Sequence, residues 1–147
     1  MAIRTILVPI DFSPCSSAAL DHAIDMARQF SARLALIHSC WVSVSMTPSL
    51  YYVVPPDFVE KLRESATAEL EQWAKRAGQA GVECTTRVSA EPALEAILER
   101  AKTLPADLIV MGTHGFTGLK HVVLGSTAER VVRFATCPVL TVKEPKS

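Results

Sequence analysis

Four glycines, Gly112, Gly115, Gly118 and Gly125, lie within the stretch Met111–Val132, and Ser126 and Thr127 follow directly on the last. A glycine has no Cβ, so its backbone N–H can come close to a bound anion. The Gly125-Ser126-Thr127 triplet opens a segment of helical period. A helix N-terminus carries unpaired N–H groups and the positive end of the helix dipole, and hydroxyls placed there add donors. Phosphate is the guest this combination suits. His114 adds a ring that can meet a phosphate or simply face water. The stretch is neither a Walker A loop nor a G-x-G-x-x-G fingerprint, because the required lysine and glycine spacings are missing. The same residues also fit a plain turn followed by a serine N-cap, and chemistry alone leaves both readings open.

Asp11 is the second candidate. A carboxylate just beyond a strand can bond a ligand or close an Asx turn. Ser13 and Pro14 already supply an N-cap and a first helical residue, which leaves Asp11 available for a ligand. His38 ends an apolar run and reads as a hydrogen-bonded core residue, Tyr51 and Tyr52 as packing side chains, and Lys120 and His121 as loop charges. Cys15, Cys40, Cys84 and Cys137 form no C-x-x-C pair and match no histidine spacing for zinc, so reduced thiols in a cytoplasmic protein are expected. No Ser-His-Asp set or paired-carboxylate site stands out, so binding is expected rather than turnover.

These residues need a scaffold. Ile3–Ile10, Arg33–His38, Val82–Val88, Ala106–Met111 and Pro138–Val142 are short and apolar or alternating, and read as strands. Between them, apolar residues recur at helical spacing. The inner faces are Leu20, Ala23, Ile24 and Ala27; Phe58, Leu62, Ala66, Leu70, Trp73 and Ala77; Leu94, Ile97, Leu98 and Ala101; and Ala128, Val131, Val132 and Ala135. Gly78 and Gly81 are expected to end the second helix, and residues 39–56 to form a long loop. Alternating strands and helices predict an α/β protein, a five-stranded parallel doubly wound sheet with helices on both faces. In such a sheet, ligands sit beyond the C-terminal strand ends where strand order reverses. The 147 residues suit a single domain spanning 1–147. A formal net charge of zero argues against sequence-independent binding of nucleic acid, and no apolar run reaches membrane-span length or marks a signal peptide.

The glycine spacing, G112-x-x-G115, nine residues, then Gly125-Ser126, resembles the nucleotide-binding signature of the universal stress protein family. "TILVPIDFS", "ALIHS", "DLIVMGTHG" and "LGSTAERVVRFATCPVLTVK" are similar to its other segments, so the resemblance covers nearly the whole chain. It implies a Rossmann-like fold of the adenine nucleotide alpha hydrolase type, strand order 3-2-1-4-5, with a site between strands 1 and 4. It implies ATP, with or without Mg²⁺, as the ligand. Carried over, Asp11 would bond the ribose, with Pro9 and Ile10 beside the base and Ser39 at the adenine edge. Met111 and Gly112 would line the pocket, and His114, Gly115, Gly125, Ser126 and Thr127 would meet the phosphates. It also implies a homodimer through the C-terminal strand, Pro138–Lys143, acting in stress regulation. The alternatives are a slow ATP hydrolase and a stress protein that binds no nucleotide and acts through its dimer surface. Two departures bear on adenine. Where many ATP-binding members have glycine after the third strand, this chain has Ala90, expected to crowd the base or to need an unfavourable backbone angle. Ser39, where valine is common, is expected to make the adenine edge more polar.

Overall fold

The computed structural model describes residues 2–42, 57–115 and 124–145. Tyr51, Tyr52, Lys120 and His121 lie outside the described residues. In chain order the elements are β1 (Thr5–Pro9), α1 (Pro14–Phe30), β2 (Arg33–Ser39), α2 (Phe58–Gln79), β3 (Cys84–Ser89), α3 (Ala93–Thr103), β4 (Leu108–Gly112), α4 (Ser126–Phe134) and β5 (Val139–Val142). The five strands form one sheet in the order β3-β2-β1-β4-β5, and each of the four neighbouring pairs is parallel. Ile6 of β1 lies level with Leu34 of β2 on one side and Leu108 of β4 on the other, so strand order reverses at β1 and β4.

Alternation along the central strands sends side chains into two cores. Ile6, Val8, Leu34, Leu36, Leu108 and Val110 pack in one core with residues of α1 and α2. Leu7, Ala35, Ile37, Ile109 and Met111 pack in the other with residues of α3 and α4. Because β1, β2 and β4 are buried on both faces, they read as continuous apolar runs.

Helix ends show where the sequence expectations held and where they slipped. Ser13 caps α1: its side chain accepts from the Ser16 N–H at 3.2 Å, and Pro14 follows at the first helical position. The helix closes at Ser31, a non-glycine residue in the left-handed region with φ 53°, and Ala32 N–H donates back to Ala27 O at 2.9 Å. The second helix does not stop at Gly78. It runs through it to Gln79 and ends at Gly81, whose φ is +76°. Val82 N–H donates to Ala77 O at 2.9 Å and Gly81 N–H to Gly78 O at 3.0 Å, the paired bonds of a Schellman motif. Phe58 and Leu62, expected on the inner face of α2, are exposed, and the buried stripe starts at Ala66. Val132 of α4 is likewise exposed, although its neighbour Val131 is fully buried.

Candidate functional site

Strands β1 and β4 carry their chains out of the same edge of the sheet, and the segments beyond them meet. After β1, Asp11 Oδ1 accepts the Ser13 N–H at 2.9 Å, so the Asx turn considered in the sequence is made. Phe12, between them, is held at φ 65°, a conformation rare for an aromatic residue. This turn swings the Phe12 ring onto the α1/α2 core, 4.5 Å from His38 and edge-on to Trp73 at 5.5 Å. Asp11 itself stays exposed, and its Oδ2 abuts Gly115 so closely that a Cβ there would collide with it. The first-strand carboxylate and the glycine loop are therefore direct neighbours.

Beyond β4, Thr113 is nearly fully buried and ties the loop together. Its N–H donates to Val142 O at 3.0 Å, and its carbonyl accepts the Gly125 N–H at 2.6 Å. Its hydroxyl lies 2.9 Å from His114 Nδ1. The chain that leaves at Thr113 thus returns to the same point at Gly125. A Cβ on Gly125 would lie 3.0 Å from Thr113 O, so the bare α-carbon is needed for this neck to close. Gly125 has an ordinary φ of −67°, and conformational freedom is not the reason for glycine here. The absent Cβ of Gly112 faces inward instead. It would sit 2.9 Å from Cys15 Sγ and 3.0 Å from the Cys15 carbonyl carbon, so Gly112 lets the first turn of α1 lie against β4. Cys15 Sγ donates to Val142 O at 3.1 Å across the same point.

Helix α4 starts at Ser126 with Gly125 at the N-cap, and among the described residues no side chain caps its first N–H groups. The serine-cap alternative placed an acceptor where the structure has a glycine. Ser126 is exposed and Thr127 half-buried beside those N–H groups.

Together these segments wall a cleft of about 610 Å³, in the range of small-molecule sites. Pro9, Ile10, Asp11, Ser39, Met111, Gly112, His114, Gly115, Gly125, Ser126 and Thr127, the residues singled out in the sequence, all lie on its lining. On the β4 side of β1 the lining includes Asp11, Thr113, His114 and the start of α4. On the β2 side it includes Ile37 and Ser39, and α3 adds the apolar Ala93, Ala96 and Ile97. His38 also lines the cleft, and its Nδ1 lies 2.7 Å from Ile10 O. A carbonyl only accepts, so Nδ1 carries the hydrogen. A larger, more open hollow of about 1260 Å³ lies at the opposite edge, between Arg4, Arg28, Arg33 and Asp107. There the strands begin and α1 ends, so it offers no switch point and no helix N-terminus.

Ala90 is exposed, lies off the cleft lining and is not in the left-handed region. The Ser39 hydroxyl gives its hydrogen to Glu91 O at 2.6 Å, which leaves it only as an acceptor on the cleft. Glu91 N–H donates to Ser89 Oγ at 3.1 Å, and these two side-chain bonds pin the turn that a glycine would otherwise make. Among the lining residues that the sequence did not name for the site are Ser16, Thr113 and Trp41, and His38, read there as a core residue, lies on the lining as well. Thr113, flanked by Gly112 and His114, carried a signal only in its position at the strand end. For Trp41 there was none, since it follows the strand without periodicity.

The sheet order, the switch-point cleft and the uncapped helix N-terminus define a doubly wound α/β protein of the kind that holds small ligands at its strand ends. The model of the universal stress protein family matches residues 2–143, and the chain belongs to that family. A universal stress protein of Methanocaldococcus jannaschii is 40% identical over 144 residues, covering 97% of this chain and 84% of the relative. The solved universal stress protein UspA of Lactobacillus plantarum superposes with a TM-score of 0.84 at 28% identity, covering 97% of this chain and 99% of the other. A universal stress protein solved in complex with cAMP superposes with a TM-score of 0.73 at 25% identity, covering 99% of this chain and 100% of the other. Among the described residues, no helix is long and apolar enough to cross a membrane.

Proposed function

We propose that this protein binds ATP or a related adenine nucleotide in the β1/β4 cleft and serves as a regulatory binding module in the response to stress. One observation carries the reading. The exposed Asp11 carboxylate, Gly115 and the uncapped N-terminus of α4 converge on one cleft at the switch point. Phosphates are held by the N–H groups of Gly115, Ser126 and Thr127, where the helix dipole favours negative charge, while Gly125, its own N–H given to Thr113 O, closes the neck beneath them. Asp11 bonds the ribose through Oδ2, its Oδ1 being engaged by Ser13. The base lies beside Ile10, Ser39 and Met111. The relative solved with cAMP supports an adenine nucleotide as the ligand class. Among the described residues no group of three or more His, Cys, Asp or Glu could hold a metal, so Mg²⁺ arrives with the nucleotide, bound by phosphates and water.

The strand β5 pairs with β4 on one side, and Leu140 on it is exposed. An unpaired strand edge is a template for a further strand. The homodimer joined through Pro138–Lys143 follows from that edge. A sedimentation mass of one chain at micromolar concentration would argue against it.

Titration calorimetry of ATP with and without Mg²⁺, on nucleotide-free protein, tests the ligand. Saturable binding by wild type and its loss in Gly125→Val is the expected outcome, because a side chain there forces the Thr113–Gly125 neck open. Absence of binding by wild type overturns the reading.

A further inference from the structure

From the placement of Trp41 we infer that its indole is the aromatic cover of the ligand's base; this rests on the nucleotide reading above. Trp41 stands two residues beyond β2, on the cleft lining, with 53% of its surface exposed. A half-exposed indole is costly to leave in water and is suited to lie against a flat apolar partner. Its neighbours on the lining define which part of a nucleotide lies there. Cys40 N–H donates to Ser89 O at 2.9 Å, so the chain at Trp41 runs beside the turn into α3, whose Ala93, Ala96 and Ile97 lie on the lining with Ile37 of β2. The groups that suit phosphate, at Gly115 and the start of α4, lie on the β4 side. A nucleotide oriented by its phosphates therefore brings its base toward the aliphatic wall, and among the described residues Trp41 is the one large aromatic side chain on the lining besides the two histidines. His38 is held by Ile10 O and by the Phe12 ring, which places it in the packing rather than free to cover a ligand. Base–aromatic stacking tolerates any base but strengthens with its flat area, so purines gain most.

The chain has two tryptophans, which makes the test clean. Trp73 is committed elsewhere: it packs edge-on to Phe12 and lies beneath the Arg76 guanidinium at 5.1 Å. The experiment titrates ATP, and separately inorganic tripolyphosphate, into wild type, Trp41→Ala and Trp41→Phe, with indole fluorescence recorded in the same titrations. Trp41→Ala is expected to weaken ATP roughly 5- to 150-fold, the range of one stacked base. It is expected to leave tripolyphosphate affinity and thermal midpoint unchanged, since the residue is half in water. Trp41→Phe keeps ATP affinity within a few-fold. Wild-type fluorescence changes with ATP, and the change is absent in both variants. Equal ATP affinity in wild type and Trp41→Ala overturns the inference while leaving the nucleotide site intact. Equal losses for ATP and tripolyphosphate overturn it too, since Trp41 would then be shaping the loops rather than covering a base. Wild type that binds no ATP sinks both readings together.

Discussion

The two faces of the sheet finish differently at the edge where β1, β2 and β4 end. On the α1/α2 face that corner is plugged. Phe12 is turned onto it by a left-handed backbone, and Trp73 and His38 close around the ring. Arg76 locks the outside, with its Nη1 donating to Ser17 Oγ at 2.9 Å and its Nη2 to Asp21 Oδ1 at 3.0 Å. On the α3/α4 face the same corner is built from Ala93, Ala96, Ile97 and Ala128, and a cleft remains. The helices differ to match, with 17 and 22 residues on the plugged face against 11 and 9 on the open one, so the short pair leaves the strand ends uncovered. The proposed site lies on the open corner, and the turn at Phe12 is the device that keeps one large side chain out of the cleft.

Substitutions at the two corners should separate them. Phe12→Ala removes the plug and should cost about 3 kcal/mol in urea unfolding, the low end for phenylalanine because the ring is half-buried. A cost near zero would mean that the ring is not what finishes that face. At the open corner, Ile97→Ala should cost about 2 kcal/mol, because the space it vacates joins the cleft and fills with water instead of remaining as a cavity. If Ile97→Ala proved the costlier of the two, the contrast between the corners would fail. Beneath both lies the contact of α1 with β4. Gly112→Ala should cost about 1 to 2 kcal/mol, since the Cys15 thiol can rotate away but its backbone carbon cannot. A variant as stable as wild type would show that the helix can simply ride outward.

The smallest effect is a titration. Cys84 packs against the plugged core, and burial pushes its thiol up from 9.0 to about 11. The folded chain therefore holds that proton over a window, between about pH 9 and 11, in which the unfolded chain releases it. Stability from this group is present below the window and lost as pH rises through it. Alkylation of Cys84 in the native protein at pH 9 should be slower than in the urea-unfolded chain and should rise toward pH 11. Equal rates at pH 9 would place the thiol in water.

Much of this was legible along the chain because it rests on local rules. Buried strands appear as apolar runs, Ser13-Pro14 opens a helix by capping chemistry, and the alternation of strand and helix leaves few arrangements for a parallel sheet. Eleven residues of the cleft could be named because the glycine spacing resembles a family signature, and the structure gathers all eleven onto its lining. Why each glycine is there was not legible. Gly112 gives way to Cys15 from a helix 97 positions away in the chain, Gly125 to the carbonyl of Thr113, and Gly115 to the carboxylate of Asp11. Nor could the exposed setting of Ala90 or the place of Trp41 be read before the turn at Ser89–Glu91 and the exit of β2 had positions in space. Sequence by itself determined the elements and the chemistry available at their ends, because propensity, capping and period act between near neighbours. Tertiary structure alone decided which strand ends meet, which corner Phe12 fills and which is left open, because those depend on contacts between residues that only the packed sheet brings together.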